Sequence, residues 1–164
     1  MDLQKQCVVE IPIDQKYVAL SYVWGSVQTV HLLKANMSRL MSEGSLDHYK
    51  SLLPQTIQDA MQLVELMKQR YLWVDSLCLI QDDPEDIGLG TQVMDIIYEL
   101  SDLTIIAAGG VDASAGLVGL HESSRTPTHV VREIGPGVTL AFAGLEDKND
   151  PESHFKASRH NTRG

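Results

Sequence analysis

The sequence predicts an α/β fold: a parallel sheet with crossover helices. Three observations carry that prediction. Segments alternate as strand, helix, strand, helix, strand between residues 17 and 108, the order that joins parallel strands through crossovers. The clearest helix, within LPQTIQDAMQLVELMKQR (53–70), has a wide apolar stripe suited to lying on a sheet. The breaks at Trp24-Gly25, Asp75 to Asp83 and Gly109-Gly110 fall at the carboxyl ends of the predicted strands, where parallel sheets bind ligands.

Taken in order, residues 1–16 are a mixed N-terminal lead-in that ends in a polar, Pro-containing stretch. Tyr17 to Val23 (YVALSYV) reads as a strand and Thr29 to Leu33 (TVHLL) as a second short one. Residues 35–52 hold helical turns around Met37, Leu40 and Met41, then a polar segment. In the long helix, Thr56 and Asp59 read as a capping-box-like pair. Ile57, Ala60, Met61, Val64 and Met67 follow the helical repeat, and Leu63 and Leu66 widen it. Lys68 and Arg70 sit at its C-terminal end, where cations favour the dipole.

Tyr71 to Val74 reads as the next strand, and Leu77 to Ile80 continues its apolar character. Asp83 is placed to cap a helix, with Pro84 at its first position and Glu85 and Asp86 near its positive end. Gly88 and Gly90 weaken that first turn by roughly 1 kcal/mol each, so the firm helix is expected from Thr91 to Leu100. Leu103 to Gly109 is predicted as a buried strand. A Gly-rich loop follows, then two strands, HVVREI and VTLAFAG, around a Gly-Pro-Gly turn, and a loose polar tail over 145–164.

The totals narrow the function classes. The chain has 164 residues, 43% of them apolar and 21% charged, and a net charge of −9. One domain with its own core is the expectation. An acidic chain without a Lys/Arg cluster argues against nucleic-acid binding. Two distant cysteines, Cys7 and Cys78, with no CxxC pattern favour a reducing, cytoplasmic setting. The N-terminus has no long apolar core of a signal peptide, and no apolar stretch approaches the roughly 18 to 20 residues of a membrane span.

Three segments, YVALSYVWG (17–25), LPQTIQDAMQLVELMKQRYLWVDSLCLIQDD (53–83) and MDIIYELSDLTIIAAGG (94–110), together resemble the fungal heterokaryon incompatibility (HET) domain. The resemblance covers about 17–120, leaving 121–164 as C-terminal strands and tail of a chain that is short for such a family. It implies a TIR-like or flavodoxin-like three-layer α/β fold, here with extra C-terminal strands. It also implies a signalling or interaction role in fungal non-self recognition, programmed cell death and innate immunity. Protein partners or self-association would follow. No cofactor is required for that role. TIR-like domains also include enzymes that cleave NAD, in which a glutamate supports an oxocarbenium-like ribosyl centre. NAD would then be a substrate. In the family pattern a Trp and a Glu precede the MDIIY segment; those positions are Ile87 and Gly90 here. Asp86, four residues before Gly90, can share its helical face and is the candidate substitute acid. The absent glutamate leaves a catalytically degenerate member as a further reading.

The remaining candidates carry competing readings. Asp75 is either a polar group at a crevice or an acceptor tying down backbone N–H groups. Trp24 and Gly25 are either a pocket floor or a core ring and a turn. Gln81 and Asp82 lie past the strand end and are binding candidates; Asp83 reads as a cap. Cys78 lacks a base nearby in sequence and reads as a small packing residue. Trp73 and Tyr98 read as packing. The six histidines show no metal-ligand spacing, and there is no P-loop or GxSxG elbow.

Overall fold

Val18–Ser21 (β1) lies at the centre of a three-stranded parallel sheet. Leu72–Trp73 (β2) flanks it on one side and Leu103–Ile106 (β3) on the other. Val18 pairs with both Leu72 and Leu103. Val18, Ala19 and Leu20 are all buried, as a central strand covered on both faces requires, so β1 reads as an unbroken apolar run. The computed structural model describes residues 1–121 and two further strands, His129–Gly135 (β4) and Val138–Ala143 (β5), which pair antiparallel. The turn at 136–137 and the tail from 145 lie outside the described residues.

Helices Met37–Leu40 (α1), Ser45–Tyr49 (α2) and Gln55–Leu66 (α3) lie between β1 and β2, with a 3-10 turn at Lys50–Leu52. Asp75–Cys78 (α4), Pro84–Gln92 (α5) and Met94–Glu99 (α6) lie between β2 and β3. α3 turns Ile57, Ala60, Met61 and Val64 into the core with Leu20, Leu40, Leu46, Leu72 and Leu77. Leu66 is exposed, so the stripe is narrower than its apolar count implied. Past α3 the chain turns through Lys68, whose positive φ of 58° stands where a glycine is usual. The N–H groups of Lys68 and Gln69 reach the carbonyls of Glu65 and Val64, which closes the helix end.

The N-terminal segment joins this core through Met1, Leu3, Cys7 and Val8. Asp2 bridges to Cys7 and Tyr71, and its buried carboxylate receives two donors from Arg70, the closer at 2.7 Å. Burial opposes that charge, but Arg70 and the Lys5 and Gln4 N–H groups hold the Asp2 carboxyl below the usual range.

Several local expectations are corrected. Thr29–Leu33 is not a strand; its Leu32 N–H reaches Ser76 O and its Leu32 carbonyl receives Gln81 N–H, so no strand neighbour pairs with it. The strand expected at Tyr71–Val74 shortens to two residues, and Asp75 opens the helical turn α4 rather than continuing a strand. The cause is local: the Asp75 carboxylate accepts from Ser76 N–H at 2.7 Å, and the Leu77 and Cys78 N–H groups fold back on Val74 O. The helix expected from Thr91 begins at Pro84 instead, with Gly88 and Gly90 inside it, and breaks at Val93. Asp83 caps it as read, accepting from Glu85 N–H. In β3 Ile105 is buried while Leu103 and Ile106 are exposed, so it is not the buried strand predicted.

Candidate functional site

The segment that follows β1 lines a cleft of about 470 Å³ at the carboxyl end of that strand. Its walls include Tyr22, Trp24, Gly25, His31, Pro54 and Ala113. Trp24 follows β1 and Asp75 follows β2, so the parallel pairing brings both residues to the same end of the sheet. There the Trp24 indole N–H meets both Asp75 oxygens, at 3.0 and 2.9 Å. The Trp24 ring lies 5.3 Å from the His31 ring, tilted against it. Tyr22 shares a 2.9 Å hydrogen bond with Ser76. Burial and the Asp75 charge push its phenol well above the usual range, so it stays protonated.

Gly25 is required by the backbone. Its φ is +66°, and a side chain there would run into Asp112 at 2.3 Å. The Ala113 N–H in turn reaches Trp24 O at 3.3 Å, and Ala113 O receives the Thr56 N–H.

α3 therefore anchors the segment that brings Ala113 to the cleft, and its polar residues do what the sequence reading missed. Thr56 and Asp59 are not a cap pair: Pro54 is the residue before the helix, and neither side chain caps it. Thr56 Oγ1 instead accepts from Gly116 N–H at 3.1 Å, and Asp59 Oδ2 from Leu117 N–H at 2.7 Å. Asp59 Oδ1 meets Gln55 Nε2 at 2.6 Å and His121 Nε2 at 2.8 Å. Burial opposes the charge, but the Leu117 N–H, Gln55 and His121 together hold the Asp59 carboxyl below the usual range. Two polar residues three apart, pointing the same way as an apolar stripe, were the signal. His31 and His121 gave none, because their partners are distant in sequence.

The predicted site residues separate into two groups. Trp24 and Gly25 line the cleft, and Asp75 braces it through the indole. Gln81 holds the end of α4, donating to Asp75 O and Leu79 O at 3.0 and 2.9 Å. Asp82 lies elsewhere, accepting from Lys34 N–H at 2.8 Å. Asp86 does not line the cleft; its Oδ2 accepts from Ile80 N–H at 2.6 Å. Cys78 accepts from Val74 N–H and is half-buried. Among the described residues no cluster of His, Cys, Asp and Glu is arranged to hold a metal.

Position 90 is closed by packing. Gly90 is buried, and a Cβ there would meet the Leu79 methyls at 2.5 and 2.7 Å. Gly90→Glu is expected to lower stability by about 1–2 kcal/mol by displacing Leu79. In a Leu79→Ala background the same change should cost little, as urea denaturation of the four proteins would show.

Comparison with known proteins gives one consistent result. The family described as "Heterokaryon incompatibility protein (HET)" matches residues 17–164. Heterokaryon incompatibility protein 6, OR allele, of Neurospora crassa is 26% identical over 115 residues. That alignment covers 63% of this chain but only 16% of the Neurospora protein. No solved structure matches.

Proposed function

The chain belongs to the heterokaryon incompatibility (HET) family, and from that membership we propose that it is a signalling and interaction module in fungal non-self recognition, acting toward programmed cell death. The observation that carries this is the family match, which spans the Trp24 cleft and α3 together. Its partners are proteins, a second copy included. The net charge of −9 weighs against nucleic acid. The two free cysteines favour a reducing, cytoplasmic location. Among the described residues no helix is long and apolar enough to cross a membrane. A TIR-like or flavodoxin-like arrangement is supported by the order β2-β1-β3, which opens the 2-1-3-4-5 order of flavodoxin-type sheets.

Expression in a filamentous fungus tests the reading. Arrested growth and cell death are the expected result, with association between tagged copies. A monomer that leaves growth unchanged overturns it.

NAD cleavage is the second reading, supported by the cleft's place at the strand ends and a volume suited to a small ligand. NAD enters as substrate, and Asp86, although it does not line this cleft, is the acid this reading tests. Purified protein incubated with NAD should release nicotinamide, and Asp86→Ala should abolish the release. Absence of turnover at high protein concentration removes this reading and favours a degenerate member.

A further inference from the structure

A second concavity, a half-open groove of about 680 Å³, runs between α6, β2 and the segment around residues 8–13. Val93, Ile96, Ile97 and Leu100 all line it. They stand at i, i+3, i+4 and i+7, the stripe by which one helix packs on another. Yet Val93, Ile96 and Leu100 are 41%, 47% and 51% exposed. Met41 and Ile13, which also line it, are exposed as well. A helix stripe is thus complete in pattern and uncovered.

Among the described residues the charged side chains of the lining are Glu10 and Asp86, while the Met1 amino group there is turned to Leu72 O at 2.8 Å. From Tyr71 to Leu120 the sequence has nine acidic residues and no Lys, Arg or His. Two of the nine, Asp83 and Asp102, are paired with Lys34 and Lys16. Glu10 is exposed, and the hydrogen bond of Asp86 to Ile80 N–H occupies only Oδ2.

We propose that this groove is the docking site for a basic amphipathic helix, its apolar stripe laid on Val93, Ile96 and Leu100 and its flanking Lys or Arg residues facing Glu10 and Asp86. Helix-in-groove recognition uses this anchor spacing, and opposite charge at the rim sets partner choice. A second copy of the chain is a poor fit, because α3, its longest helix, buries its own stripe and contains no Lys or Arg. The inference names a partner class for the interaction role, but it stands on the groove, so a binding test and the fungal assay can fail separately.

The test uses the full chain and a fluorescent peptide of about eighteen residues, long enough for a stable turn count, with a Leu stripe flanked by Lys. A second peptide carries Glu in place of Lys, and a third scrambles the stripe. The Lys peptide is expected to bind about ten-fold tighter than the Glu peptide and to weaken as salt rises. Ile96→Asp should weaken it by about ten-fold or more, and Glu10→Lys should weaken it too. Leu66→Asp, at an exposed leucine of α3, should leave it unchanged. Circular dichroism checks that each variant is folded. Equal binding of the Lys and Glu peptides, or no effect of Ile96→Asp, overturns the proposal. So does self-association that Ile96→Asp abolishes, which would make a second copy the occupant. An apolar dye that saturates the groove and that the Lys peptide fails to displace would make it a small-molecule pocket instead.

Discussion

Asp59→Ala is expected to destabilise the protein by about 3 kcal/mol, the scale for removing a buried, multiply bonded carboxylate. The substitution leaves the buried Leu117 N–H without its acceptor and removes the shared partner of Gln55 and His121. Those bonds attach the 113–121 segment to α3, and that segment also reaches Trp24 O through Ala113. Trp24 fluorescence should therefore change along with the urea midpoint. The pH dependence has a fixed sign. The folded Asp59 carboxyl lies below its unfolded value of about 3.9. Its contribution is complete above that unfolded value and is lost as pH falls through the folded one. The stability gap between wild type and Asp59→Asn should accordingly be constant near neutrality and narrow below about pH 4. A gap that stays constant into acid would show that the charge contributes nothing. Gly116→Ala should reproduce part of the loss, since its φ is +75° and a Cβ there would sit 2.6 Å from Asp59 Oδ2.

What could be read from the sequence was local, and what could not was long-range. α3 announced itself because a period of 3.6 needs only neighbouring residues. β1 did so as an apolar run, and Asp83 did so because a cap bonds within two residues. The errors arose where a local rule was satisfied by residues whose partners lie far away. Thr56 and Asp59 match a capping pattern, but they bond residues 60 and 58 positions downstream. β2 is the exception: its end is set locally, by the Asp75 carboxylate that takes the Ser76 N–H and opens α4. The Gly90 penalty was correctly a helix penalty, but the contact with Leu79 that calls for glycine is invisible to propensity. Trp24 and Asp75 were both identified as candidates from strand-end position. Their direct bond, across 51 residues, required the parallel register.

That bond is the basis of the second large effect. Trp24→Phe keeps the ring but removes the N–H that spans the Asp75 carboxylate, and a loss of about 2 kcal/mol is expected. Asp75→Asn halves the acceptor capacity and should cost a similar amount. If the two groups act on each other, the double variant loses less than the sum, by about 1–2 kcal/mol. An additive pair would assign Trp24 to simple packing in the cleft wall. A spectroscopic signature separates these outcomes from general loosening. Burial and the Asp75 charge both raise the Tyr22 phenol. Asp75→Asn removes the charge and one acceptor oxygen but leaves the burial, so Tyr22 should ionise at lower pH by absorbance while the fold persists. Trp24→Phe keeps that charge in place, so its Tyr22 titration should stay close to wild type. An equal fall in both variants would mean that the cleft had opened to water, and the Trp24–Asp75 bond would then be a bolt closing the wall. A fall confined to Asp75→Asn would make Asp75 the source of the cleft's negative field, with Trp24 fixing where that field points.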